Sequence, residues 1–216
     1  MQLVDRIEKR RFVGREFLLW LWFETEVFDA TLSTKEHGSF GLWVEKQFVV
    51  SEAKEVTRIK GSQPAHGREA KESLLRGKLP EAAGLHLSMH EQETTFALKA
   101  ESLAIGGLTL PTVLGGEQEP APMLDRPPPP RRKKKQGPIP DAGDQQREVF
   151  EERIKMTRAF ESVIEALYRD FLTLRLGAGW KSFVVPALKT WAAGEEEVDV
   201  GEYRKARNRA LGPKKK

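Results

Sequence analysis

The sequence predicts an α+β fold: an antiparallel β-sheet meander packed with helices, and a C-terminal αα-hairpin attached through a Pro-rich linker. Three observations predict it. Large apolar side chains crowd residues 16–23, apolar and polar residues alternate over Gly84–Pro111, and apolar residues recur at helical spacing after residue 144. Alternation is typical of a strand with one buried face, whereas a spacing of three to four residues is typical of a helix.

The first predicted helix, Gln2–Glu26, ends in an almost wholly apolar block. Apolar and charged residues alternate in its first half, where Gly14 is a candidate break or bend. The second half carries Trp20 and Trp22 among other large apolar residues. A helix that is apolar on nearly every side is buried, so this block is expected in the core.

Two short runs of strand composition, Gly41–Val50 and Glu55–Ile59, follow this helix. A short polar helix is predicted over Gly67–Arg76, and glycine and proline end it. Gly84–Pro111 gives the clearest β signal, because its apolar and polar residues alternate between turn residues. One polar and one apolar face fit an antiparallel sheet that helices half-cover.

The second half of the chain is predicted to be a linker followed by helices. A Pro-rich, like-charged segment is extended and forms no core. A long helix, Gln145–Leu176, carries an apolar stripe, and a second stripe follows it, with a kink or helix start near Pro186. The resulting segments are an α+β domain (1–114), a disordered linker (115–144), a helical hairpin (145–194) and a charged tail (195–216) that is expected to fray.

The net charge of +4 comes from two short tracts. Residues 1–126 hold 16 basic and 19 acidic side chains, and residues 141–211 hold 12 basic and 13 acidic ones. Residues 127–140 hold five basic side chains and no acidic one, and the last five residues add three lysines. The predicted folded parts are therefore near neutral or slightly acidic, and the excess cations lie in segments of disordered composition.

Composition and the chain start predict a cytoplasmic protein. Cysteine is absent, which excludes disulfides, iron–sulfur clusters and a cysteine nucleophile. Met1–Arg11 is charged throughout and lacks the apolar stretch of a secretory signal. No apolar run reaches the roughly 18 residues that a membrane span needs, so no membrane partner is expected.

No residue pattern predicts catalysis, a metal or a cofactor. His86 and His90 are expected on one face of a strand, without the convergent ligands of a zinc site. Carboxylate pairs such as Glu24 and Glu26 accompany no nucleophile or base, and Gly106-Gly107 lies in no phosphate-loop pattern. A non-enzymatic protein is expected, with a carboxylate hydrolase as the remote alternative.

The clearest nucleic-acid candidate is a run of adjacent cations in the linker: Arg131, Arg132, Lys133, Lys134 and Lys135. Such a run contacts phosphates and releases their counterions. A solvated tether that only keeps the protein in solution is an equal alternative. The lysines at the C-terminus have the same ambiguity. Basic residues beside Trp20 and Trp22 could grip single strands, but tryptophans in such an apolar block are more often core.

Several elements between Gly14 and Pro111 carry a family resemblance. They are the helix Glu16-Phe-Leu-Leu-Trp-Leu-Trp22, the strands near Leu42–Val50, the basic turn Arg58-Ile-Lys-Gly-Ser-Gln63, the short helix ending in Arg76-Gly-Lys-Leu79, and the meander over residues 85–98. In this order and in scattered identities, the chain resembles the later portion of the recombination-associated protein RdgC family, in a short form.

The resemblance implies a homodimeric, non-enzymatic protein that encircles duplex DNA with little sequence preference and restrains recombination in the nucleoid. A recombination protein is the partner that it implies. Carried over residue by residue, it assigns DNA contact to Lys60 and Gln63 with Arg58 beside them. It adds Arg76 and Lys78, which close the same element.

Two function hypotheses remain open from the sequence. The first is sequence-independent DNA binding in recombination or nucleoid maintenance, by a homodimer or larger assembly. The alternative is a protein–protein adaptor or assembly subunit that recruits a partner through its helical hairpin and Pro-rich linker. The family resemblance favours the first, and the near-neutral folded segments favour the second. Steep salt dependence is expected only of the first.

Overall fold

The computed structural model describes residues 3–52, 55–61, 67–111, 142–194 and 197–212. Their elements, in chain order, are α1 (Leu3–Val27), β1 (Thr31–Thr34), β2 (Gly38–Glu52), β3 (Glu55–Gly61), α2 (Arg68–Leu75), β4 (Leu79–Met89), β5 (Gln92–Lys99), β6 (Ile105–Thr109), α3 (Ala142–Leu176), a π-helical turn (Trp180–Val184), α4 (Val185–Ala193) and α5 (Val200–Ala210). An antiparallel sheet with helices confirms the α+β class. None of these described helices is both long and apolar enough to cross a membrane.

The sheet is open and has the strand order β1-β2-β4-β5-β6, with β3 paired to β2. All of these pairs are antiparallel, and β4-β5-β6 form the predicted meander. Because β4 pairs with β2 from Gly41 to Ser51, β1 and β3 must share the other edge of β2. We call this the β1/β3 edge.

Helices cover one face of the sheet and leave the other, the open face, exposed. Leu85 and Leu87 of β4 are buried, whereas His86 and Ser88, which follow them, are only half-buried. The same alternation continues along β5. Side chains of a strand point alternately to its two faces, so this pattern places the core on the side where α1 packs on β2 and β4.

The core centres on the apolar block of α1. Trp20 is fully buried and Trp22 is 1% exposed, which confirms the prediction that they are core residues. Phe17 meets Phe171 of α3 at a ring distance of 5.5 Å, and Trp22 meets Trp191 of α4 at 4.6 Å. The apolar stripes of α3 and α4 are therefore buried against α1 within the same chain.

Gly14 does not break α1, which runs without interruption from Leu3 to Val27. It allows a close approach instead. A Cβ atom at Gly14 would lie 1.9 Å from the carbonyl oxygen of Ala100, which follows β5. Ala100 lies in the turn after β5. Glycine is needed at position 14 because only a residue without a side chain lets that turn lie against α1.

Substituting Gly14 with Ala is expected to lower the free energy of unfolding by about 1–3 kcal/mol, because the backbone must shift to admit the methyl group. Gly106→Ala is the matched control, since a Cβ there would meet no atom within 4 Å, and it is expected to stay within about 1 kcal/mol of the parent. Urea denaturation measures both. Equal stabilities would contradict the close packing of Gly14.

The C-terminal segment differs from the sequence prediction. The tail was expected to fray, but Val200–Ala210 forms α5, and α3 already begins at Ala142, inside the predicted linker. The Asp199 side chain caps α5 by accepting a hydrogen bond from the Glu202 N–H at 2.8 Å. A kink or helix start is predicted near Pro186; the proline lies in the first turn of α4, where the π-helical turn Trp180–Val184 passes directly into the α-helix.

Candidate nucleic-acid interface

The edge strand β3 presents two predicted DNA-contact residues, Arg58 and Lys60. Both are exposed, and Ile59 between them is 8% exposed and faces the core. Ile59 pairs with the buried Phe48, and Lys60 pairs with the exposed Gln47. Strand alternation therefore projects both cations from the open face of the sheet.

Neither of these two cations is neutralised within the described part of the chain, where no carboxylate forms an ion pair with Arg58 or Lys60. Other cations are paired: Arg175 lies 2.7 Å from Glu16, for example. A guanidinium and an ammonium group without a counter-charge are free to bind an external anion.

The second predicted pair, Arg76 and Lys78, lies elsewhere. Arg76 is exposed at the end of α2. The Lys78 ammonium donates to Thr57 Oγ1 at 3.0 Å and lies 3.2 Å from Glu55 Oε2, and its side chain is only 15% exposed. Thr57 shares a face of β3 with the buried Ile59. Lys78 is therefore on the side of β3 away from the first pair.

The structure thus brings together only part of the predicted set. Arg58 and Lys60 form one surface, whereas the amine of Lys78 is held on the opposite side by an ion pair. The remaining predicted contacts, Gln63 and the linker run Arg131–Lys135, lie outside the described residues.

Helix α5 presents a second basic surface that the sequence prediction missed. Arg204, Lys205 and Arg209 are exposed, and none pairs with a carboxylate among the residues that the structure describes. The sequence prediction missed these cations because it expects the charged tail to fray. The available signal was Asp199 followed three residues later by Glu202, because an acidic cap followed at that spacing by Glu is a helix-start pattern.

A buried carboxylate fixes α5 to α1. Glu24 is fully buried, and the Tyr203 hydroxyl donates to its Oε1 at 2.6 Å. Arg207 Nε lies 2.8 Å from Glu24 Oε2. Burial raises the pKa of Glu24, and the positive charge of Arg207 opposes that rise. Burial also raises the pKa of Tyr203, so the phenol keeps the proton that it donates.

Asp170 of α3 is the next carboxylate beyond this pair. Its Oδ2 lies 3.9 Å from Arg207 Nη2, a looser contact than that of Glu24. Burial raises the pKa of Asp170, and the charges of Arg207 and Lys35 oppose the rise. One arginine therefore lies between two carboxylates, of which only Glu24 touches it closely.

Substituting Asp170 with Asn is expected to change how stability depends on pH. The raised pKa means that folded Asp170 holds its proton above the ordinary pKa of 3.8. Its stabilising contribution is therefore present below that pH and is lost as pH rises through the folded-state pKa. Because the amide of the variant does not titrate, the variant should gain stability relative to the parent as pH rises above the ordinary pKa of 3.8. Urea denaturation across pH measures this, and a constant difference would contradict it.

The open face carries a histidine between two carboxylates. His86 Nδ1 lies 2.6 Å from Glu45 Oε2, Nε2 lies 3.5 Å from Glu93 Oε2, and the ring stacks on Trp43 at 4.1 Å. The prediction that His90 shares this strand face is wrong, because β4 ends at Met89 and His90 lies in the following turn. Within the described ranges, no three metal-ligating side chains converge.

Comparisons with known proteins give no relative: no protein family, curated protein or solved structure matches this chain. The resemblance to the RdgC family therefore stays a prediction, and the geometry of the described residues is the basis of the functional argument.

Proposed function

We propose that this protein binds duplex DNA without sequence preference and without catalysis, through phosphate contacts along the β1/β3 edge. One observation carries the proposal: Arg58 and Lys60 project side by side from the open face of an edge strand, exposed and without a counter-charge among the described residues. Arginine and lysine contacts to phosphate supply affinity but read no bases.

Charge on the open face supports contact at the edge rather than at the centre. Glu45 and Glu93 beside His86 place carboxylates on the middle strands, where they would repel phosphate. On this face, the edge strand β3 carries the cations Arg58 and Lys60 instead. A duplex that approaches this face is therefore expected to meet its favourable charge at β3.

The basic surface of α5 supports a second contact along the same edge. Arg204 lies over Phe28, next to β1, with its guanidinium 5.0 Å from the ring. On β2, the partners of Thr31 and Lys60 are Gly41 and Gln47, six residues apart. That separation is roughly 20 Å, or about six base pairs of duplex DNA. Because α5 packs on α1 while Arg58 and Lys60 project from the open face, the two cationic groups are separate contacts along this edge.

The proposal is tested by fluorescence anisotropy with two labelled duplexes of unrelated sequence. The full chain should bind both with equal, micromolar affinity, as expected of non-specific contact. The double variant Arg58→Ser, Lys60→Ser should weaken binding to both duplexes by about tenfold. Lys181→Ser, Lys189→Ser is the matched control, because it removes the same charge from exposed positions of the π-helical turn and α4.

Three results would contradict the proposal: no binding at low salt, a strong preference for one duplex, or an equal loss in both double variants. The predicted homo-oligomer, the nucleoid location and a recombination partner belong to the same proposal. Light scattering of the full chain with and without duplex measures the oligomeric state.

The adaptor hypothesis has one observation in its favour, and it lies in the first helix of the predicted hairpin, outside the apolar stripe. The apolar stripes of α3 and α4 are used internally, but Phe150 near the start of α3 is 63% exposed. Under this hypothesis, Phe150→Ser abolishes capture of a protein partner by the immobilised full chain. The β3 double variant would then leave that capture unchanged.

A further inference from the structure

A cavity of about 270 Å³ lies between β1, the start of β2 and helix α5. Its polar lining consists only of groups that donate hydrogen bonds or can do so: Thr31, Ser33, Ser39, Arg204, Arg207 and Asn208. Among the described residues, no carboxylate lines it. A pocket of hydroxyl, amide and guanidinium groups without an acid favours an anion.

Arg207 is the buried charged group of this cavity. It is 4% exposed, and its Nε lies 2.8 Å from Glu24 Oε2 in an ion pair. No described residue accepts a hydrogen bond from its terminal nitrogens, and only the looser contact with Asp170 lies within ion-pair distance of them. A guanidinium has five N–H donors in a planar fork. Apart from the looser contact of Nη2 with Asp170, the terminal nitrogens of Arg207 therefore remain available to a ligand.

Arg204 adds a second positive charge beside the first. Its guanidinium carbon lies 5.0 Å from the centre of the Phe28 ring, and that of Arg207 lies 5.9 Å from the same ring. Glu24 offsets Arg207, but Arg204 has no carboxylate partner within the described part of the chain. Arg204 is thus the lining cation without a close counter-charge, since Glu24 and, at 3.9 Å, Asp170 both lie near Arg207, and a bound anion would reduce the repulsion between the two arginines.

We propose that this cavity binds a phosphate group, with Arg204 and Arg207 forming charge-assisted hydrogen bonds to its oxygens. Asn208 and the hydroxyls of Ser33 and Ser39 supply the remaining donors, whereas the Thr31 hydroxyl already donates to the Asp29 carbonyl. The volume lies just below the range of about 300–1,000 Å³ for small-molecule pockets, so it suits one phosphate and a small attached group. The phosphate can belong to a DNA backbone diester or to a small phosphomonoester.

The probe is inorganic phosphate, added to the full chain at constant ionic strength with chloride as the balancing ion. A ligand that binds only the folded state raises the Tm in a saturable way. We expect this rise in the parent, an apparent affinity at least about tenfold weaker in Arg204→Gln, and no binding in Asn208→Asp, which places a carboxylate in the cavity. Lys205→Gln removes a neighbouring charge that does not line the cavity, and it should behave as the parent.

Two results would overturn the proposal: no saturable rise beyond that given by chloride, or the same rise in the parent, Arg204→Gln and Asn208→Asp. General stabilisation by phosphate as an excluded solute would appear equally in all four proteins, so it is read as the second of these results.

A competition arm identifies the source of the phosphate. A duplex with 5′-hydroxyl ends that displaces inorganic phosphate, in an Arg204-dependent way, assigns the cavity to the DNA backbone. Phosphate binding that the duplex leaves unchanged assigns it to a small phosphomonoester. The β3 variant Arg58→Ser, Lys60→Ser should bind inorganic phosphate as the parent does, so failure of DNA binding at β3 and failure of this cavity are separate results.

Discussion

Replacing Glu24 with Gln is expected to lower the free energy of unfolding by about 3–5 kcal/mol, because it leaves the charge of Arg207 buried without its close counter-charge. Arg207 and Glu24 are 2.8 Å apart, and their side chains are 5% and 0% exposed. Asp170 is too distant, at 3.9 Å, to replace that contact fully. Urea denaturation at neutral pH measures the loss.

Two further variants show whether the loss of stability comes from the buried ion pair. Glu36→Gln removes the same charge from the ion pair with Arg169, where both side chains are about half exposed, so the expected loss is at most about 1 kcal/mol. Adding Arg207→Met to Glu24→Gln removes both buried charges and should recover part of the stability. A loss below about 1 kcal/mol in Glu24→Gln would contradict the account, and would mean that folded Glu24 already holds a proton.

Replacing Trp22 with Ala is expected to cost about 3–5 kcal/mol, the range for large aromatic residues in a packed core. Its ring lies 4.7 Å from that of Phe48 and 4.6 Å from that of Trp191. Its Nε1 donates to Glu26 Oε1 at 2.8 Å, and Trp191 Nε1 donates to the other oxygen of the same carboxylate. Trp22 therefore joins α1 to the sheet and to α4.

Trp43→Ala is the matched control for this substitution. Trp43 is half-buried on the open face and, of the rings in the described ranges, stacks only on that of His86, so truncation leaves no closed cavity and should cost much less. Urea denaturation gives both free energies, provided that the m values agree. Equal losses for the two tryptophans would contradict the assignment of the core to the α1 side of the sheet.

The elements whose signal is local could be predicted from the sequence. In these elements, the arrangement of apolar residues along the element itself indicates which part is buried. They are α1 with its apolar block, β4 and β5 with their alternation, and α3 with its stripe. The α+β class follows from these patterns. The close approach at Gly14 does not, because it depends on Ala100, a residue that no spacing rule connects to it.

The surfaces that bear on function were harder to predict because they depend on contacts between distant residues. Helix α5 appears in the sequence as a run of charges, and its fixed position comes from Glu24, far away in the chain. The family resemblance assigns the predicted contacts on β3 and after α2 to one DNA-contacting element. Strand alternation nevertheless separates them, so Arg58 faces outward while Lys78 is paired with Glu55.

The salt dependence of duplex binding is the most direct test of phosphate contact through β3. Each neutralised phosphate contributes about 0.9 to the slope of log K against log salt. A steep negative slope is expected for the full chain, and a slope smaller in magnitude by about 2 for Arg58→Ser, Lys60→Ser. A flat slope, or the same slope in both proteins, would contradict phosphate contact through β3.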